Sequence, residues 1–300
     1  MAVIAGPTAS GKSAMALELA ARFDGTIINA DASQLYADLR IVSARPDASD
    51  ETRVPHRLYG VIDGDDPANA ARWALLARRA IEAAIAAARL PIVVGGTGLY
   101  LTTLIDGIAP VPEIDPDVRA AVRALPTADA AAALACEDAA LAARLMPGDR
   151  QRQLRGLEVV RSTGRSLLAW QAEPAGGGVG ADHDVRAMIV DVDRDALRAR
   201  VEPRLDAMLA AGALGEVAAL MARGLAADRP VLRALGVAEF AAVLAGTMTP
   251  AAAVAAAAAS TRQYQKRQLT WGRSQAAGWP RVADADAAAA VIARVELDLS

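Results

Sequence analysis

Short apolar runs alternating with helix-forming stretches place this 300-residue chain in the α/β class, a parallel sheet covered by helices on both faces. An eight-residue glycine-rich stretch, Gly6–Ser13, joins the first apolar run to the first helical one. After Gly107 the prolines Pro110, Pro112 and Pro116 end the alternation, and only helical patterning follows until about Gln171. These observations predict a core built from residues 1–111 and 181–300, interrupted by a helical insertion at 112–180.

The strand-like runs are Val3–Ala5, Thr26–Ala30, Ile92–Val94 and Ala187–Val192, with helical segments at Ala14–Arg22 and Ala68–Arg89. Ligands of such sheets collect beyond the carboxyl ends of the strands. Three strands therefore deliver the residues that follow them to one rim: the Gly6–Ser13 loop, Asp31, and Gly95-Gly96-Thr97-Gly98. Glu173–His183 reads as a loop by composition. Helices resume after Asp193, with Gly212, Gly224, Gly246 and Pro250 as boundaries and no internal repeat.

Gly6-Pro7-Thr8-Ala9-Ser10-Gly11-Lys12-Ser13 fits the pattern G-x-x-x-x-G-K-[ST] between a strand and a helix, the context that gives the pattern meaning. Backbone N–H groups and a helix N-terminus surround a multiply charged anion there, a lysine reaches over it, and Ser13 can offer its hydroxyl to Mg²⁺. The expected fold is thus a P-loop NTPase-like parallel sheet core with a helical insertion domain, and the expected ligand is a di- or triphosphate. Only two of the 32 basic residues are lysine, Lys12 and Lys266, so a lysine in the loop points to a site that needs a compact ammonium.

Composition narrows the classes. One cysteine, Cys136, and two histidines, His56 and His183, exclude a disulfide framework and argue against a Cys/His zinc site. Cys136, in an alanine-rich run, reads as a small core residue. No apolar stretch reaches the roughly 20 residues of a membrane span and no charged leader precedes the glycine loop, so a soluble, cytoplasmic protein is expected. A net charge of −3 gives no overall attraction for nucleic acid, so any such partner must bind through local patches.

Asp31 can bind metal, serve as a general base, or cap the turn that follows it. The strand Ile92–Val94 ends in glycines instead of the magnesium-holding aspartate of hydrolytic phosphate-loop enzymes, which disfavours ATP hydrolysis. Gly95–Gly98 allow either a ligand or a tight turn, and Thr97 can hydrogen-bond a ligand. Two stretches are basic: five arginines between Gly148 and Arg165, and Arg262, Lys266, Arg267 and Arg273 without any acid. Such runs suit a solvated helix face, but Gln263, Tyr264, Gln265, Gln268 and Trp271 interleaved with the second also suit phosphate and base contacts. Among Arg194, Arg198, Arg200 and Arg204, one is a candidate clamp on a leaving phosphate.

Taken together, GPTASGKS (6–13), DASQLY (31–36), RIVSARP (40–46), VPHRL (54–58), GGTGLYL (95–101), DPDVR (115–119), QRQLRGLEV (151–159), TGRSL (163–167) and STRQYQKRQLTW (260–271) resemble the bacterial tRNA dimethylallyltransferase (tRNA isopentenyltransferase) family nearly end to end. The first and last are the most specific. The chain departs from the family pattern at Ala32, commonly serine, at Val42 and Ser43, usually glycine and threonine, and at Arg45, usually lysine.

The resemblance implies transfer of a dimethylallyl group from dimethylallyl diphosphate to N6 of the adenosine 3′-adjacent to the tRNA anticodon. It implies Asp31 as the base that takes the N6 proton, with Thr8 and Arg204 on the oxygen that bridges the allyl carbon and the diphosphate. Lys12 and the loop amides of Gly6–Ser13 would bind diphosphate, with Ser13 on Mg²⁺. Asp31, Ala32, Ser33, Gln34, Thr97, Arg119, Gln151, Arg152, Gln153, Leu154 and Arg155 would contact the anticodon stem-loop of tRNA, joined by the basic residues Arg262, Lys266 and Arg267. A monomer is expected. Rival readings are prenyl transfer to a free adenine nucleotide, a phosphate-loop kinase, and a tRNA-binding protein without turnover.

Overall fold

The computed structural model describes residues 1–173 and 175–293. Pro174, in the expected Glu173–His183 loop, and the final stretch 294–300 lie outside the described residues. The chain divides into two compact units, Met1–Ile105 with Val179–Ser300, and Asp106–Gly178.

Among the described residues of the first unit, β1 (Ala2–Ala5), β2 (Gly25–Asn29), β3 (His56–Arg57), β4 (Leu90–Gly95), β5 (Arg186–Val190) and β6 (Arg281–Val282) form one sheet. Their order is β3-β2-β4-β1-β5-β6 and every neighbouring pair is parallel. Burial on both faces explains why these strands read as continuous apolar runs. Val3 and Ala5 pack into one core with Ile28, Val93 and Phe240, while Ala2 and Ile4 pack into the other with Met15, Leu19 and Ala288. Ala5 pairs with Gly95 on one side and with Ile189 on the other, so the segments after β1, β4 and β5 leave the sheet at one level. The fold is that of the P-loop NTPases, and β1, where the connections change sides, opens the crevice expected to hold a ligand.

Four helices accompany the first half: α1 (Lys12–Arg22), α2 (Ala48–Arg53), α3 (Ala70–Ala86) and α4 (Gly98–Ile105). Helix α1 starts two residues before the predicted Ala14, because Met15 N already donates to Gly11 O at 3.1 Å. Helix α3 starts after Asn69, whose side chain accepts from Arg72 N at 2.9 Å. It buries Trp73, Ala77, Ile81 and Ala84, one stripe at helical spacing. The edge strands β3 and β6 were not predicted; two residues are too few to show any periodicity.

The second unit contains α5 (Pro116–Ala124), α6 (Thr127–Glu137), α7 (Ala139–Ala142), α8 (Arg150–Thr163) and α9 (Leu167–Gln171) around Val122, Leu134, Leu141 and Leu157. Its boundaries precede the expected 112 and 180 because Ile108 and Gly176 exchange backbone hydrogen bonds at 3.3 Å and close the unit ahead of the prolines. Cys136 corrects the expectation of a core residue. It is exposed, since α6 turns Ala130 and Leu134 inward and Cys136 falls on the other face.

Back in the first unit, β5 leads into α10 (Arg194–Ala199), α11 (Val201–Ala210), α12 (Ala213–Ala222) and α13 (Val237–Leu244). The 25-residue α14 (Pro250–Ser274) precedes β6, and α15 (Ala285–Ala293) covers the α1 side. No single helix among the described residues is long and apolar enough to cross a membrane.

Candidate active site

The glycine loop turns tightly from β1 into α1. Gly11 has φ 90°, in the left-handed region open to glycine without a Cβ penalty. Ser10 N donates to Pro7 O at 3.2 Å, and the Ser10 hydroxyl is buried without a hydrogen-bond partner among the described residues. Lys12 lies back along the loop with Nζ 3.4 Å from Pro7 O, and Ser13 is exposed at the head of α1.

Helix α14 grips this loop from above. Gln268 accepts from Thr8 N at 2.8 Å and donates to Gly96 O at 2.9 Å, while Gln265 donates to Thr8 O at 2.8 Å. Both glutamines are buried. Amides interleaved with cations also suit nucleic-acid contacts, but these two are spent inside the protein, bridging the segments that follow β1 and β4. Trp271, in the same basic stretch, donates to Thr102 Oγ1 at 3.2 Å and stacks edge-on with Trp279. Gly96 is needed for this close approach, because a Cβ there would lie 2.0 Å from Gln268 Nε2 and 2.8 Å from Gly6 O. The second glycine segment is thus a packing device.

Asp31 follows β2 and is fixed by the fully buried Asn29. The Asn29 side chain donates to Asp31 O and Leu58 O, each at 3.0 Å, and accepts from Asp31 N at 2.8 Å. Asp31 Oδ1 accepts from Ser33 N at 3.1 Å and from Ser33 Oγ at 2.7 Å. The turn-capping role therefore exists, and Oδ2 takes no partner among the described residues. Thr97 Oγ1 accepts from Ala32 N at 3.1 Å, tying the Asp31 turn to the β4 rim. Gln34 donates to Ser43 O and Ala44 O at 3.0 and 2.9 Å, so its amide braces the neighbouring turn.

A cavity of about 290 Å³ opens beside the loop. Thr8, Ala9, Asp31, Ala32, Ser33, Arg204 and Arg267 line it, seven residues selected from sequence. Tyr36, Val42, Tyr100, Leu205 and Met208 supply an apolar wall that the sequence did not reveal. Burial pushes the Lys12 ammonium down to about 8; nearby Asp31 opposes this and Arg204 adds to it. Arg204 is also held below its usual value by burial, with Asp31 opposing. One carboxylate and two cations thus act on one another in a buried space. Tyr264 is pushed up to about 12 by burial and by Asp31, with Thr97 drawing it back.

Of the four arginines after β5, only Arg204 reaches this cavity; Arg200 donates to Ala9 O at 3.3 Å, and Arg194 and Arg198 line a separate groove with Arg262 and Lys266. Arg262 pairs with Glu202 at 3.3 Å, Lys266 and Arg267 are exposed, and Arg267 stacks over Tyr264 at 5.3 Å. In the helical unit Gln151 and Arg152 are exposed, and Arg119 and Leu154 are half-buried. Arg155 lies 3.6 Å from Glu158. Gln153 is buried and donates to Pro147 O at 3.0 Å, so its amide nitrogen is spent within that unit.

The family model described as IPP transferase matches residues 34–275. A tRNA dimethylallyltransferase of Sphingopyxis alaskensis is 58% identical over 283 residues, covering 94% of this chain and 92% of the relative. One from Rhodospirillum rubrum is 51% identical over 277 residues, covering 91% and 85%. Among solved structures, the tRNA isopentenylpyrophosphate transferase of Bacillus halodurans is 29% identical with TM-score 0.66, covering 94% of this chain and 89% of that one. A eukaryotic dimethylallyltransferase captured acting on tRNA is 26% identical with TM-score 0.76, covering 91% and 69%. With a family model matching residues 34–275 and relatives of such identity along nearly its whole length, the chain belongs to the IPP transferase family of tRNA dimethylallyltransferases.

Proposed function

We propose that this chain transfers the dimethylallyl group of dimethylallyl diphosphate to N6 of the adenosine 3′-adjacent to the anticodon of tRNA and releases diphosphate. One observation carries the reading: Thr8, Asp31 and Arg204 converge on a single cavity with an apolar wall, at the mouth of an anion-binding loop. The apolar wall suits the hydrocarbon part of an allyl donor. The tRNA dimethylallyltransferase relatives and the solved structure of a dimethylallyltransferase acting on tRNA support the acceptor.

The N6 nitrogen attacks the allyl carbon, the carbon–oxygen bond breaks, and diphosphate leaves with the electron pair. Charge grows on the leaving oxygens, so catalysis comes from groups that bind them more tightly as the bond breaks. Thr8 and Arg204 serve the bridging oxygen, while Lys12 and the amides of Gly6–Ser13 hold the rest. The exocyclic amine becomes acidic only once it bonds to carbon. Asp31 then takes its proton on Oδ2, because Oδ1 is already occupied by Ser33. The acceptor base must leave its stack to reach this pocket. Tyr264 and Arg267 offer an aromatic face and a cation for RNA at the rim, and Arg119, Gln151, Arg152 and Arg155 supply polar and cationic side chains on the helical unit.

No group of three His, Cys, Asp or Glu among the described residues is placed to hold a metal. Mg²⁺ that takes most of its ligands from phosphate oxygens and water fits such a site, with exposed Ser13 as the protein ligand. When bound it neutralises charge on the departing diphosphate.

Mass analysis of tRNA nucleosides after incubation with dimethylallyl diphosphate and magnesium tests the reaction. Asp31→Ala should slow turnover by about 10²-fold with tRNA affinity nearly unchanged. Weaker binding at normal turnover would remove Asp31 from the chemistry.

A further inference from the structure

Glu216, half-buried on α12, receives three successive backbone N–H groups of the loop after Leu39. Oε1 accepts from Arg40 N at 2.5 Å and Ile41 N at 2.8 Å, and Oε2 accepts from Val42 N at 2.8 Å. Consecutive amides converging in this way form an anion nest, and here the chain fills it with its own carboxylate. The same loop is held from its other side by Gln34, through Ser43 O and Ala44 O, and internally by Ser43 Oγ donating to Leu39 O at 2.6 Å. Ala44 has φ 53°, a left-handed conformation unfavourable for a non-glycine residue that persists only while neighbours enforce it.

The loop presents Val42 and Ser43 to the cavity. Another part of the wall, Val201, Leu205 and Met208, belongs to α11, which is joined to α12 by two residues. Glu216 therefore ties the loop wall to the helical wall. Charge-assisted hydrogen bonds are short and strong, so three on one carboxylate set the spacing between these walls closely. We propose that Glu216 is a positioning residue that fixes the width of the cavity and thereby its preference for a short allyl chain, an inference that rests on the function proposed above.

The test compares wild type, Glu216→Ala and Glu216→Gln with five-carbon and ten-carbon allyl diphosphates, alongside hydrogen exchange at residues 40–42 and thermal melting. Each bond to a charged group is worth more than a factor of ten. Glu216→Ala should raise KM for the five-carbon donor about tenfold, raise the ten- to five-carbon ratio of kcat/KM about tenfold, and leave kcat within about threefold. Exchange at 40–42 should quicken. Glu216→Gln keeps an acceptor oxygen and should recover most of the wild-type ratio. A variant that melts early yet keeps the donor ratio would make Glu216 a stability residue only and overturn the proposal. Wild type that transfers no prenyl group to RNA would sink the functional reading, and the selectivity with it. Active wild type with variants unchanged in donor ratio and exchange would sink this inference alone.

Discussion

Replacing Gln268 by alanine removes one buried amide that holds two ends of the site together. Its oxygen is 2.8 Å from Thr8 N and its nitrogen 2.9 Å from Gly96 O. Each bond contributes about 1 kcal/mol net, but leaving the buried N–H and C=O unpaired costs about 1–3 kcal/mol apiece. The loss should total roughly 2–4 kcal/mol, with water entering the gap to soften it. In a domain of this size that lowers Tm by roughly 5–15 °C, readable by calorimetry. Because Thr8 keeps only the Gln265 anchor on its carbonyl, KM for the allyl donor should also rise about tenfold, with tRNA affinity unchanged. Gln268→Glu keeps an acceptor for Thr8 but sets a carboxylate against the Gly96 carbonyl, so it should also destabilise. Should Gln268→Ala weaken tRNA binding while donor KM and melting stay at wild-type values, the amide would be an RNA contact and the clamp a misreading.

Lys12 predicts a pH dependence. Its ammonium is pushed down from 10.5 to about 8, so in the free protein it is charged below that pH and loses its proton above it. An alkyl diphosphate, fully ionised by then, restores the charge when it binds, so binding takes up a proton above pH about 8. Donor affinity should be level at pH about 7 and fall by up to tenfold per unit above about 8, with proton uptake visible by calorimetry in two buffers; constant affinity from about 7 to 9.5 would rule this out. Arg267, exposed and without an acidic partner among the described residues, should act through phosphate. Arg267→Ala should weaken tRNA binding and reduce the slope of log affinity against log salt by roughly 0.7–1, and an unchanged slope would make the residue structural.

The sequence made the β1–loop–α1 unit legible because its chemistry demands fixed residues at fixed spacing between a strand and a helix. Asp31 was legible as a position but open in role; its carboxylate caps the turn, one of the roles suggested, and also lines the cavity. The clamp role of Gln265 and Gln268 was not legible, because amides interleaved with cations suit an RNA face or a solvated one, whereas their partner Thr8 stands about 260 residues away in sequence. Glu216 gave no signal at all, since its three partners are backbone amides that any sequence supplies. Residue pattern alone left four arginines open and only the family resemblance singled out Arg204; of the four, it alone lines the cavity.

The run from Thr261 to Gln268 in α14 alternates sides with every step, because each residue advances the spiral by about 100°. Tyr264 and Arg267 look into the cavity, Gln265 and Gln268 down onto the loop, and Lys266 outward to solvent. Lengthening or shortening this stretch by a single residue would rotate everything beyond it and exchange the gripping side for the wet side. Drift at the outward positions leaves the grip in place, whereas an insertion between the two glutamines would turn one of them off the loop.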